Sequence, residues 1–248
     1  MKLANNRFKE LVYADIFDAP LKIGRKYYVL PGREKLIRIY QKREKISRIK
    51  KLEGQKIANY FRHIPFVEAV FLTGSVAAGN ATAKADIDLM IITKPNSLWI
   101  TRLLVFSYLK IENRLKKPIC PNIFLDTNHL EVFEKNIYTA HEVKQAKMLF
   151  DRGGTAKQWL QKNKWVEQYC HAELVSASRS GIRRRSRNKF GMTLLLPFEL
   201  IAYWLQYLYM KSKVTNESVG WGYAYFHPRN LSKTIDKKYS QRLVKYRR

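Results

Sequence analysis

The stretch FLTGSVAAGNATAKADIDLMIIT, residues 71 to 93, holds the side chains of this sequence best suited to chemistry: Gly74 and Ser75 close one apolar run, and Asp86 and Asp88 open another. Aspartate is disfavoured in strand interiors, and two neighbouring carboxylates in an apolar setting are costly unless cations neutralise them. Side chains alternate along a strand, so Asp86 and Asp88 are predicted to project on one side, about 7 Å apart, with Ile87 on the other. Oxygen-only donors at that spacing suit one or two hard divalent cations, Mg²⁺ or Mn²⁺, which bind together with substrate phosphates in many phosphoryl-transfer sites. Gly74 allows a tight turn and a close approach to a bound group, backbone N–H groups after it can point at a phosphate, and the Ser75 hydroxyl adds a donor.

An apolar strand, Gly-Ser, eleven positions from Ser75 to Asp86, then Asp-x-Asp in a second apolar strand form a combination more specific than its parts. It resembles the polymerase-β-like nucleotidyltransferase superfamily over roughly residues 51 to 150. The resemblance implies transfer of a nucleoside monophosphate from a nucleoside triphosphate (NTP) to an acceptor, with pyrophosphate leaving. Gly74 and Ser75 would hold the triphosphate, and Asp86 and Asp88 the metals. It also implies a third carboxylate on a later strand, completing the metal site or deprotonating the acceptor. Asp126, ending NIFLD, is the first choice and Glu131 in LEV the second, with a turn-forming role for Asp126 in Asp-Thr-Asn nearly as well supported. The acceptor is left open: a protein side chain, a small-molecule hydroxyl or an RNA end. Some small members of the superfamily modify a toxin partner, a role that would need a second protein.

Other polar residues read as structural. Lys84 and Arg102 could neutralise phosphate charge, but a lone basic residue on a helix is usually solvated or ion-paired. His141 and Glu142 in TAHEV lack the second histidine of a zinc motif and read as helix surface or local hydrogen bonding. His227 has no assignable role. Cys120 and Cys170 stand far apart without metal-ligand spacing and read as reduced thiols.

The positioning elements follow from periodicity. FVEAVFLTG and IDLMIIT are predicted strands, the second apolar enough for burial on both faces. SLWITRLLVFSYLKIENRLKK is a helix with Ser97 as N-cap, and PNIFLDTNHLEVF contains a third strand. IYTAHEVKQAKMLFDRG reads as one helix ended by Gly153 and Gly154. Upstream, FKELVYADIFDAPL is a short helix, KYYVL a brief strand-like run, and the charged stretch to Ile64 a long helix closed by Pro65. The fold class is thus α/β (α+β), a small mixed sheet flanked by helices.

The expected organisation is an N-terminal element and linker helix (1–50), the nucleotidyltransferase-like core (51–150), a helical linker (151–170), a Ser/Arg-rich insertion (171–193) and a helical C-terminal segment (194–248). ADIFDAPL with KYYVLPGREKLI resembles the first helix and wing of a truncated winged-helix domain, with too few residues between them for a recognition helix. The insertion reads as disordered and resembles the translated form of short intergenic repeats of some bacterial genomes, which would make its arginines incidental; an RNA-binding arginine stretch is the alternative.

The chain of 248 residues carries 47 basic and 20 acidic residues, a formal +27. The core is nearly balanced, with 13 basic and 9 acidic residues between 51 and 150, so the excess lies on the flanks. Contact with nucleic acid through those flanks, by a catalytically inactive protein of the same fold, is the alternative function. No signal-peptide-like core opens the sequence, and Pro197, Glu199 and Gln206 interrupt the apolar run 192–210. A cytoplasmic protein without a membrane span is expected.

Overall fold

The computed structural model describes residues 22–23, 28–29, 32–112, 119–169, 195–211, 218–226 and 241. The expected helix at 8–21, the insertion at 171–193, Cys170 and His227 lie outside them. Strands β1 (Lys22–Ile23) and β2 (Tyr28–Val29) form a small antiparallel ladder of their own.

Helix α1 (Lys35–Phe61) buries Ser47, Lys50, Gly54, Ile57, Ala58 and Phe61, positions three or four apart that form one stripe. At Gly54 the helix comes near enough to the sheet that an added Cβ would touch Ile87, Leu72 and Leu149. Strand β3 (Val67–Leu72) follows, then the single-turn helix α2 (Gly74–Ala77), a loop, and strand β4 (Ile87–Thr93) antiparallel to β3. Helix α3 (Leu98–Ile111) crosses back to strand β5 (Ile119–Asp126), which lies parallel to β4. A parallel pair needs such a crossover.

The segment read as one helix over residues 137–153 is two elements. Helix α4 (Ile137–Gln145) begins where the Asn136 side chain accepts the Thr139 N–H at 2.9 Å, and it ends at Ala146, whose φ of −54° and ψ of 133° turn the chain out of the helix. Strand β6 (Lys147–Asp151) then pairs antiparallel with β3 at the sheet edge. Met-Leu-Phe at 148–150 satisfies either period over so short a run, and pairing with β3 decides between them. Helix α5 (Thr155–Lys162) and a 3₁₀ turn (Lys164–Gln168) follow. The C-terminal part contributes helix α6 (Leu196–Lys211), as expected, and also a strand pair, β7 (Ser218–Val219) and β8 (Tyr223–Tyr225). These extend one mixed sheet of order β6-β3-β4-β5-β8-β7.

The sheet separates two apolar layers. Val70, Leu72, Ile87, Leu89 and Ile91 face α1, α3 and α6, where Phe61, Leu98, Trp99 and Ala202 meet them. Ala69, Phe71, Met90, Ile92 and Leu125 face α4 and α5, represented by Ala140, Val143 and Trp159. Ser97 occupies the N-cap position of α3, but its hydroxyl donates to the Lys94 carbonyl. The first N–H groups of that helix are taken by Glu199 of α6, whose carboxylate accepts from Trp99 at 2.7 Å and Ile100 at 2.8 Å. That contact docks α6, and no helix among the described residues is long and apolar enough to cross a membrane.

Candidate active site

The end of β3 and the start of β4 form the bend that the sequence marks. Beyond the last ladder pair, the Thr73 N–H donates to the Asp88 carbonyl at 2.9 Å, holding the two strands together. Gly74 then has a φ of +62°, and a Cβ at this residue would collide with Asp88 Oδ2. No other residue type allows both that conformation and that approach. The loop closing the bend is anchored on α1: the Ala81 N–H donates to Ser47 Oγ at 3.0 Å, and Arg43 Nη1 donates to Asn80 Oδ1 at 2.9 Å.

Asp88 lies on the sheet face that carries Met90 and Ile92, the face covered by α4. Asp86 precedes β4 and is exposed, so only one of the two carboxylates is a strand residue, contrary to the sequence expectation. Asp86 still acts electrostatically on Asp88. Burial first, then Asp86, then Glu142 push the Asp88 carboxyl up to about 7. Its neighbours respond to the same negative field: burial, Asp88 and Asp86 push Cys120 up to about 11, and burial, Glu142 and Asp88 push Tyr138 up to about 12.

Two residues missed by the sequence reading belong here. Asn122, 1% exposed on the neighbouring strand, donates from Nδ2 to Asp88 Oδ1 at 2.9 Å. It reaches Asp88 across a register shift between Leu89 and Met90, which no local pattern announces. Glu142 of α4, treated above as helix surface or local hydrogen bonding, is half-buried; burial raises its pKa while the Gly74 backbone and His141 oppose the rise. A buried asparagine amid apolar strand residues, and an acid at helical spacing from Tyr138, are the signals that were present.

The remaining candidates lie elsewhere. In the β4–β5 register Asp88 pairs with Cys120 and Asp126 with Thr93, which puts Asp126 at the opposite end of the strand pair. Five residues of strand separate the two positions, about 16 Å. The expectation that Asp126 joins the acidic pair is therefore corrected: its Oδ1 accepts from the N–H groups of Asn128 at 2.8 Å and His129 at 3.1 Å, a turn role. Glu131 is exposed and ion-paired with Lys135 at 2.7 Å, which holds its carboxyl below the usual range. Arg102 donates to Gln206 and stacks over Phe106 and Phe226 on the α3–α6 side. Lys84 is exposed on the loop.

Among the described residues no three His, Cys, Asp or Glu side chains are arranged to hold a metal ion. The donor chemistry nonetheless fits a hard divalent cation: two carboxylates, a third nearby, and an amide that fixes one of them.

Residues 55–153 match the protein family described as Polymerase beta, Nucleotidyltransferase. No curated protein matches the chain. Among solved structures, a toxin–antitoxin complex with AMP-PNP is similar at 18% identity and a TM-score of 0.32, covering 47% of this chain and 87% of that one. A complex of tri-AMPylated Shewanella oneidensis HEPN toxin with MNT antitoxin is similar at 17% identity and a TM-score of 0.29, covering 50% and 87%.

Proposed function

We propose that this chain, whose residues 55–153 match the Polymerase beta, Nucleotidyltransferase family, acts as a polymerase-β-like nucleotidyltransferase, transferring a nucleoside monophosphate from an NTP to an acceptor nucleophile at the bend between β3 and β4. One observation carries the reading: Asp88, with Asp86 beside it, is pressed against Gly74 while its strongest influences all oppose its ionisation. A carboxylate kept in that condition is suited to receiving a cation.

Asp86 and Asp88 would hold a divalent cation, Mg²⁺ or Mn²⁺, which neutralises the triphosphate and polarises the phosphoryl group under attack. Asn122 fixes the rotamer of Asp88 so that its second oxygen is presented consistently. Gly74, lacking a side chain, leaves the backbone open to close approach by phosphate, and Ser75, half-buried at the same turn, offers its hydroxyl. The acceptor oxygen forms a bond to the α-phosphorus as the bond to the pyrophosphate oxygen breaks; the acceptor's proton is released. Positioning and electrostatic stabilisation supply most of the acceleration in such a displacement.

The test uses α-labelled NTPs with Mg²⁺. Label should become acceptor-bound with the native chain, and Asp86→Ala with Asp88→Ala should abolish it; undiminished transfer by the double variant refutes the reading. A thermal-shift panel of the four NTPs with and without Mg²⁺ identifies the donor beforehand, since a ligand of the native state raises Tm.

A further inference from the structure

We infer, resting on the nucleotidyltransferase reading above, that Ser47 is a positioning residue of the metal and triphosphate site: with Arg43 it fastens the loop after α2 to α1 and so sets where Ser75 and Asp86 stand. It acts through that loop, and α1 thereby becomes part of the site.

Of the two aspartates, Asp86 depends more on an outside hold. Asp88 is a strand residue and receives the Asn122 amide, whereas Asp86 is exposed and precedes β4. Its place is set by the loop before it, and that loop is tied down step by step. Helix α2 ends in a glycine cap: Gly79, at a φ of +73°, donates its N–H to the Val76 carbonyl at 3.1 Å, and the Asn80 N–H donates to the Ser75 carbonyl at 2.9 Å. With its backbone held in this way, Asn80 accepts at Oδ1 from Arg43 Nη1 of α1 at 2.9 Å. The next residue, Ala81, is fully buried, and its N–H donates to Ser47 Oγ at 3.0 Å. The Ser47 hydroxyl, 4% exposed, is itself oriented by donating to the Arg43 carbonyl one turn back at 2.8 Å. Its proton and a lone pair are thus both engaged. Beyond Ala81 the Ala85 N–H closes a turn on the Thr82 carbonyl at 3.1 Å, and Asp86 comes next. The bond to Ser47 is therefore the tie to α1 that lies nearest Asp86 in the chain, while Ser75 is held to the same anchor through Asn80. Without the Ser47 hydroxyl a buried N–H loses its partner, and the loop regains one by shifting toward water, which carries Asp86 with it.

Titration of the full chain with Mn²⁺ in the presence of each of the four NTPs tests this, with the free ion read by electron paramagnetic resonance. Ser47→Ala should weaken Mn²⁺ binding by about tenfold, the scale on which groups that orient metal ligands act. Ser47→Thr keeps a hydroxyl that can bond the carbonyl one turn back and receive the Ala81 N–H, and it should restore the native affinity. Arg43→Met gives up only the bond to Asn80 and should weaken the ion several-fold. Circular dichroism checks folding, and Arg43→Met decides alone if Ser47→Ala does not fold. Unchanged Mn²⁺ affinity in the deciding variant overturns the inference, even where Tm falls, because the hydroxyl then serves stability alone. A loss that threonine does not restore assigns the effect to packing and also overturns it. Failure of the nucleotidyltransferase reading looks different: no Mn²⁺ bound by the native chain, or Mn²⁺ bound equally by Asp86→Ala with Asp88→Ala, which overturns this inference with it.

Discussion

The parallel pair β4–β5 has an aspartate near each end, and the chain treats them in opposite ways. Asp126, 1% exposed, receives two backbone N–H groups and the His129 ring at 2.7 Å, and Gly222 packs so closely that a Cβ there would run into Asp126 and His129. Asp88 is likewise pressed against a glycine, yet Asn122 is set against two further carboxylates, and its pKa climbs to about 7. Close aspartate–glycine packing is thus common to a turn and to a site. What separates them is whether the fold supplies enough donors for the charge, and at Asp88 it does not.

The largest expected effect breaks this comparison if it fails. Asp86→Ala with Asp88→Ala should reduce transfer from α-labelled NTP by about a hundredfold or more, the scale on which preorganised electrostatic groups act. Folding should be retained, because the substitution relieves repulsion and gives up only the hydrogen bond from Asn122, about 1 kcal/mol. Asp126→Ala should do the reverse. Its backbone donors lose their partner at a cost of about 1–3 kcal/mol in urea unfolding, with nucleotide affinity kept. Activity lost in Asp126→Ala at full stability would exchange the roles of the two ends.

The same contrast explains what the sequence could show. Gly74, Ser75 and Asp88 were legible because they lie within one hairpin-like excursion, where strand period and a turn glycine fix their relation locally. The strands at 67–72 and 87–93 announced themselves by unbroken apolar runs of β-forming residues. Asn122 and Glu142 reach the site from β5 and α4, through a register shift and a helix rotation that are tertiary facts. Asp126 misled because ending an apolar strand is equally the mark of a turn acid. The 147–151 run misled because a five-residue edge strand carries too few positions to exclude a helix.

Glu199 offers an intermediate case that sharpens the comparison. It is fully buried and accepts the N–H groups that open α3, yet burial still outweighs those bonds and raises its pKa. A carboxylate with a raised folded-state pKa holds more protons in the native than in the unfolded chain. Its contribution is most favourable when it is protonated and declines as pH rises from the ordinary carboxylate range through the raised value. Stability of the metal-free protein should therefore fall with rising pH in that window, and Glu199→Gln should flatten the slope. Urea midpoints from pH 4 upward read this directly; a variant as steep as the native chain would place the titration elsewhere.

The smallest expected effect concerns the amide that serves the undercompensated end. Asn122→Ala removes one hydrogen bond to Asp88, worth about 1 kcal/mol, and should lower kcat/KM several-fold. Because the carboxylate itself remains, the loss should appear chiefly as a higher Mg²⁺ requirement, recoverable at saturating metal. Asn122→Asp acts in the other direction on charge: a further carboxylate deepens the repulsion around Asp88, so Tm without metal should drop and the Mg²⁺-induced rise should exceed that of the native chain. If the aspartate variant gains stability without metal, the acidic end is better supplied with donors than Asp88 indicates, and the contrast with Asp126 dissolves.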